Sequence, residues 1–303
     1  MSTALPSVSD QTWHDSGLTP SDIERFADVS RQAAAAGASE LLNHFGRLER
    51  IREKGTAGNL VTEADLAAEE AVLRVLAEST PELGVLAEES GSRQGKGSPL
   101  EWCVDPLDGT TNYAHRYPFF ATSVGLTWHG RPLLGALAVP ALQHFYWAAP
   151  GMGAWNNESQ IRVSDCQQLA SSLLVTGFAY DRITRLDNNY AEFAWFTHRS
   201  RGVRRAGAAA VDLAFVADGR VDGYWERGLS PWDLAAGVPL VEQAGGVVCS
   251  YDGSPVDLAS GRLIACTPGL RQALVAGLAS CRPLSGATYG APELDGGVED
   301  PTP

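Results

Sequence analysis

The chain has 303 residues, of which 44% are hydrophobic and 19% charged. That is the composition of a folded protein with a substantial core, in one large or two medium domains, and it excludes a disordered chain. Acids outnumber bases, 36 to 23, and the net charge of -13 argues against nucleic acid or an anionic membrane as a general partner, because the long-range field repels both.

No apolar run is long enough to span a bilayer, and the first residues show neither a signal-peptide nor a transit-peptide pattern. Five cysteines, widely spaced and without a CxxC pair, read as reduced thiols, so the cytosol is the expected compartment.

Residues 1–19 are expected to form a flexible N-terminus. Thr19-Pro20-Ser21-Asp22 then predicts a helix start leading into apolar Ile23, Phe26, Ala27, Leu41 and Phe45. A second helix opens at Thr62-Glu63-Ala64-Asp65 and stops at Ser79-Thr80-Pro81. GVLAEES and LEWCVDP read as two strands joined by the mobile, Gly-rich GSRQGKGSP, and ATSVGLTWHG with LLGALAVPALQHFYWAAPG reads as a meander.

Composition resets near residue 155. SSLLVTGF predicts a strand, DRITRLDNNYAEFAWFTHRS a helix, GAAAVDLAFVADG a helix, VDGYWE a strand, and SPWDLAAGVPLVEQAGG a helix closed by Gly245-Gly246. The expected organisation is an N-terminal α+β part over 20–155, a C-terminal α/β part over 156–282, and a disordered acidic tail over 283–303.

Four acidic elements stand out: Asp65 opening a helix, Glu88-Glu89 ending a strand, Asp105 with Asp108 around Pro106, and Asp233 opening a late helix. Taken singly, Asp65 and Asp233 fit capping boxes with Thr62 and Ser230, and Asp105-Pro106-Leu107-Asp108 fits an Asx-type turn. Taken together, two carboxylates in one turn repel unless a cation or proton intervenes. Oxygen-only donors select a hard cation, and Mg²⁺ fits better than Zn²⁺, for which no His/Cys cluster exists. Gly109-Thr110-Thr111-Asn112 offers backbone N–H groups at a helix start, a phosphate cradle that needs no lysine.

WCVDPLDGTTNYAHRYPFFATSVGL and SPWDLAAGVPLVEQAGG resemble the two signature motifs of the inositol monophosphatase family. GNLVTEAD, LAEES and RRAGAAAVDLAFVADGRVDGYWE match its other landmarks in the same order, so the resemblance spans residues 20–280. The wording is most similar to the cyanobacterial and chloroplast inositol-monophosphatase-like branch.

The resemblance implies a layered α/β/α/β/α sandwich, an α+β fold, and a Mg²⁺-dependent phosphomonoesterase acting on myo-inositol 1-phosphate. It implies Glu88, Asp105, the carbonyl of Leu107, Asp108 and Asp233 as metal ligands, and Asp65 with Thr110 as the pair that orients the attacking water. Gly109 and Thr110 would meet the phosphate, Glu226 the sugar hydroxyls, and Ser172 and Ala209 would line the same pocket. A homodimer is also implied, with a small phosphorylated polyol or sugar as the partner and neither nucleic acid nor membrane.

Two departures from the family are Ala208, where many relatives carry a hydroxyl, and Asn59 in place of an Asp; neither removes a metal ligand. Alternatives are other small phosphates (histidinol phosphate, fructose 1,6-bisphosphate, 3′-phosphoadenosine 5′-phosphate) or a regulatory binding protein on the same fold. The cluster Arg199, Arg201, Arg204 and Arg205 reads either as a solvated or subunit-facing patch or as an attractor for anionic substrate.

Overall fold

The computed structural model of the chain describes residues 7–54 and 60–284. From residue 285 on, the expected acidic tail lies outside the described residues. In chain order the elements begin with α1 (Val8–Ser16), α2 (Pro20–His44), β1 (Ile51–Glu53), β2 (Leu60–Thr62) and α3 (Glu63–Ser79). They continue with β3 (Gly84–Ala87), β4 (Gly91–Arg93), β5 (Leu100–Asp108), α4 (Thr110–Ala114), β6 (Ala121–Trp128), β7 (Arg131–Val139), β8 (His144–Ala149), β9 (Gly153–Asn156) and β10 (Ser159–Gln160). The remainder are β11 (Leu173–Thr176), α5 (Tyr190–Thr197), β12 (Gly202–Arg204), α6 (Ala209–Ala217), β13 (Gly223–Arg227), α7 (Pro231–Leu234), α8 (Gly237–Gln243), β14 (Val247–Cys249), β15 (Arg262–Cys266) and α9 (Arg271–Ser280).

Eight strands form one sheet in the order β10-β9-β8-β7-β6-β5-β3-β4, and five form another in the order β12-β11-β13-β15-β14. Strand alternation sends successive side chains to opposite faces, which builds the layers. On β5, Trp102 and Val104 join a core with Ile23, Phe26 and Val72 of α2 and α3, while Cys103 between them joins a different core. That second core holds α6 and α8 between the sheets, with Tyr224 and Ala265 from the smaller sheet. Trp225 and Ile264, the alternate residues, pack outward on Phe196 of α5 and Leu274 of α9. The result is a layered α/β/α/β/α sandwich.

Local chemistry explains the helix starts. At α2, Thr19 accepts from the Asp22 amide and Asp22 from the Thr19 amide, at 3.2 and 2.9 Å, a full capping box with Pro20 in the first turn. The Ser230-Pro231 stretch does not make the single helix expected of it. Pro239 has no N–H and crowds the carbonyl four residues earlier, so the chain breaks between α7 and α8 and Pro239 sits in the first turn of α8.

Four further expectations are corrected. Residues 8–16 are helix α1 and not a flexible arm, because the buried Glu242 carboxylate accepts the amides of Val8 and Ser9 at 2.9 Å each and the Ser9 hydroxyl at 2.8 Å. The connection after β3 is not mobile throughout: Gly91–Arg93 pairs with β3 as β4. Of the helix expected from Asp181 to Ser200, only a short 3-10 turn at Tyr180–Ile183 and α5 form; Asn189 before α5 has a φ of 69°, and Asp181 and Asp187 turn to Arg227 and Arg262. The larger sheet also runs on to Gln160, past the expected junction at residue 155. Among the described residues no helix is long and apolar enough to cross a membrane.

One close approach sets the middle layer. Gly125 and Gly135 face each other across β6 and β7. A Cβ on Gly125 would lie 2.5 Å from the Ala235 carbonyl carbon, and one on Gly135 would lie 2.6 Å from the Ala236 Cα. The two glycines therefore let the α7–α8 joint rest on the sheet, next to Asp233. Gly125→Ala is expected to cost about 1–3 kcal/mol, the range for overpacking a tight core. Urea unfolding measures this, and an unchanged midpoint would show that the glycine pair does not set the spacing.

Candidate functional site

The site starts from a fault in β5. That strand pairs regularly with β6 as far as Asp105 opposite Ser123, then slips so that Asp108 stands opposite Ala121. In an unbroken strand residues three apart face opposite ways; one extra residue turns Asp105 and Asp108 to the same side. Pro106, with no N–H to pair, sits in the bulge, and its carbonyl accepts from the Thr122 hydroxyl at 3.0 Å. The Leu107 amide donates to Asp105 Oδ1 at 2.9 Å. The stretch expected to be a turn is thus the bulged end of an interior strand. Gly109 follows with a φ of 90°, where a Cβ would press on the Phe119 carbonyl at 3.0 Å and on Ala208 at 3.1 Å.

Asp105 is where other acids meet. Glu88 leaves the end of β3 with its amide on the Val104 carbonyl at 3.1 Å, and its carboxyl comes within hydrogen-bond reach of Asp105. Asp233 reaches Asp105 from α7. Burial first, then the charges of Glu88, Asp108 and Asp233, pushes the Asp105 carboxyl well above the usual range. Asp233 is raised by burial and then by Asp108. Burial also raises Asp108, although its oxygens accept the amides of Ala209 and Ala210 at 3.1 and 2.8 Å.

Asp65 and Asp233 each make the capping contact expected of them and also approach a second candidate site residue, Thr110 and Asp105 respectively. Asp65, 0% exposed, uses Oδ2 for the Thr62 amide and hydroxyl at 2.8 and 2.6 Å, while Oδ1 lies 3.1 Å from the Thr110 hydroxyl. That hydroxyl is also 3.1 Å from the Leu107 carbonyl, so its single proton has two possible acceptors. Asp233 Oδ2 takes the Ser230 amide at 2.7 Å. Burial raises Asp65 to about 6. Glu226, buried on β13, is raised by burial to about 7, and its Oε2 accepts the Tyr224 hydroxyl at 2.7 Å.

Two expected pocket residues are placed differently. Ser172 precedes β11, where its hydroxyl donates to the Leu169 carbonyl at 2.7 Å. β11 runs parallel to β13 with Thr176 beside Trp225, so Ser172 stands at the opposite strand end from Glu226. Gly177 is there instead, and a side chain on it would collide with the Glu226 carboxylate. Ala209 does lie near Asp108, with its amide committed to that carboxylate. The arginine cluster divides: Arg199 stacks over Trp195 at 4.2 Å, while the charge of Arg205 acts on Glu226 and Asp212.

Sequence reasoning missed Lys54, which pairs with Glu88 at 3.1 Å and with Glu89. It also missed Glu69, which accepts the Glu89 and Ser90 amides at 2.9 and 3.0 Å and so fixes the turn after β3. A groove of about 660 Å³ along α3 and β4 includes none of the carboxylates that meet at Asp105.

Among the described residues, no three acidic, His or Cys side chains are arranged as they stand around one cation position. The donor chemistry nonetheless fits a hard divalent cation. Glu88, Asp105, Asp108 and Asp233 are oxygen donors, Asp105 and Asp108 are buried and Asp233 is half-buried, and their mutual repulsion raises the cost of ionising them.

Residues 22–283 match the model of the Inositol monophosphatase family. The chain is 47% identical over 263 residues to an inositol-1-monophosphatase of Synechocystis sp., covering 87% of this chain and 92% of that one. It is 40% identical over 259 residues to the chloroplastic phosphatase IMPL1 of Arabidopsis thaliana, covering 82% and 70%. The solved inositol monophosphatase of Anabaena (Nostoc) sp. superposes with a TM-score of 0.80 at 45% identity, covering 87% of this chain and 98% of that one.

The raised carboxyls carry a consequence for stability. Asp65 and Glu226 bind protons more tightly folded than unfolded, so between about pH 4 and about pH 7 the cation-free fold loses stability as pH rises. A divalent cation that binds the ionised cluster stabilises only the folded state, and more at the upper end of that window. Thermal melts in chelator should therefore fall in midpoint from pH 5 to pH 7.5, and added divalent cation should raise the midpoint more at pH 7.5. Equal shifts at both pH values would overturn the picture of uncompensated acids.

Proposed function

Because the chain belongs to the inositol monophosphatase family and is a phosphatase, we propose that it hydrolyses myo-inositol 1-phosphate with Mg²⁺ as cofactor. The observation that carries this reading is the meeting of Glu88 and Asp233 on Asp105, with the Asp65–Thr110 pair close by. In this reading Glu88, Asp105, the Leu107 carbonyl, Asp108 and Asp233 hold the magnesium. When bound, the metal supplies positive charge that makes a water nucleophilic near neutral pH and offsets charge on the departing oxygen.

The chain's own residues do the rest. The Thr110 hydroxyl, donating to Asp65, leaves its lone pairs free to accept a hydrogen bond from the attacking water, and so orients it. Asp65 is ionised at neutral pH and receives the proton through that hydroxyl. Gly109 and Thr110 head α4 and turn their backbone toward the phosphate, and the bulge keeps Asp105 and Asp108 on that side. Glu226 is held by Tyr224 through one oxygen, which leaves the other for a sugar hydroxyl. Ala209 lines the same pocket beside Asp108.

The part up to Gln160 supplies Glu88, Asp105 and Asp108, and the part after it supplies Asp233 and Glu226. Direct attack by water needs no covalent phosphoenzyme. We place the enzyme in the cytosol as a homodimer: all five cysteines are free, which suits a reducing compartment, while the dimer rests on family resemblance. An acidic net charge of -13 supports a small phosphorylated polyol as partner and not nucleic acid or membrane.

Purified protein should release phosphate from myo-inositol 1-phosphate with Mg²⁺ and stop in chelator; no release from any small monoester would end the proposal. Asp105→Asn should abolish turnover, and Asp65→Asn should lower kcat by about 10²–10⁴-fold, the range for losing a general base. Each variant should melt as a folded protein, and full activity in either removes the role assigned to it. A panel with histidinol phosphate, fructose 1,6-bisphosphate and 3′-phosphoadenosine 5′-phosphate ranks the competing substrates.

A further inference from the structure

Residues 178–189, between β11 and α5, cross the C-terminal end of β13 as a strap fixed at both ends. At its start Phe178 packs on Tyr190 and Phe193, with ring centroids 5.1 and 5.7 Å apart, and Ala179 fills the space beside Gly228. At its end the Asn189 amide donates to Thr176 Oγ1 at 2.8 Å and to the Gly177 carbonyl at 2.7 Å, and Asn189 Oδ1 accepts from Trp225 at 2.7 Å.

Two arginines clasp the middle. Asp181 takes the Arg227 guanidinium at 2.6 and 3.4 Å through both oxygens, and Asp187 lies 3.7 Å from Arg227 Nε and also pairs with Arg262. Arg227 and Arg262 are direct partners across β13 and β15, so one rung of the sheet grips two aspartates of the strap. Arg227 is only 6% exposed, and a two-pronged arginine–carboxylate pair at such a site fixes direction as well as distance.

The strap carries an aromatic ring to the site. Strand alternation turns Glu226 to one face of β13 and Arg227 to the other, so the Asp181 clasp sets residue 180 relative to Glu226. Tyr180 is 46% exposed and follows Gly177, which lies against the Glu226 carboxylate, and Ala179, which lies against Gly228; the Thr111 side chain, one residue from Thr110, acts on its phenol. The charges of Glu88, Asp108 and Asp233 reach the same phenol. A half-exposed ring therefore stands at the rim of the carboxylate cluster.

We propose that Tyr180 determines specificity by packing its ring on the C–H face of a cyclic polyol or sugar leaving group, with Asp181 and Arg227 as its positioning pair. This rests on the phosphatase reading of the carboxylate cluster. A saturated ring offers a flat apolar face to an aromatic side chain, while an acyclic ester such as glycerol 2-phosphate offers none.

The test is the ratio of kcat/KM for myo-inositol 1-phosphate over glycerol 2-phosphate, measured with Mg²⁺ in the full chain. Tyr180→Ala should lower that ratio about two- to tenfold, the size of a lost aromatic contact, through KM for the cyclic ester. Tyr180→Phe should restore the ratio, and Asp181→Asn should lower it less than Tyr180→Ala does. Matching thermal melts exclude misfolding. The proposal is overturned if Tyr180→Ala leaves the ratio unchanged or lowers kcat alone, or if Tyr180→Phe behaves like Tyr180→Ala. A neutral Asp181→Asn removes the positioning pair. Should the wild-type protein hydrolyse neither ester, the phosphatase reading falls and takes this proposal with it.

Discussion

The bulge at Pro106 and Leu107 is the constraint on which the rest of the site depends. A regular strand would send Asp105 and Asp108 to opposite faces, one toward the outer helices and one toward the middle layer. With one residue added, both face the space between the sheets. Asp105 there meets Glu88 from the neighbouring strand and Asp233 from α7, while Asp108 reaches the first amides of α6. Like charges are thereby held together by backbone geometry, against their own repulsion.

The same few residues join the layers. Asp108 belongs to the larger sheet, yet both of its oxygens bind the start of a helix packed between the sheets. Gly125 and Gly135 let the chain just beyond Asp233 lie against β6 and β7. The middle layer is therefore aligned to the carboxylates from two directions, and strain in its packing reaches the site within a residue or two of a side chain assigned to it.

Local features were legible in the sequence and long-range registers were not. The starts of α2 and α3 and the acids Asp65, Glu88, Asp105, Asp108 and Asp233 could be read because caps, turns and clustered charge act within a few residues. Two long motifs and three shorter ones in the same order also pointed to the family. The bulge could not be read, since Asp-Pro-Leu-Asp is equally good turn chemistry until β6 sets the register. Ser172 was misplaced because a strand's residues are evident from composition, whereas which end meets Glu226 depends on pairing with β13. Helix α1 was missed because what holds it is Glu242, far away in sequence. The same limit hid the Arg227 and Arg262 clasp: Asp181 and Asp187 look like ordinary helix-face acids until β13 and β15 bring their partners alongside.

Dividing each carboxylate between two tasks has a thermodynamic consequence. Asp65 and Asp233 give one oxygen to a helix cap, and Asp108 gives lone pairs to two amides, so all three side chains lose their rotational freedom when the chain folds. Freezing a side chain at the moment of ligand capture ordinarily subtracts about 0.5–1.5 kcal/mol from affinity. Here that entropy has already been lost in folding, so whatever enters the cluster orders little further. Affinity for any such ligand is then governed by desolvation and charge, and rigidity of the fold fixes in advance the geometry that the ligand meets.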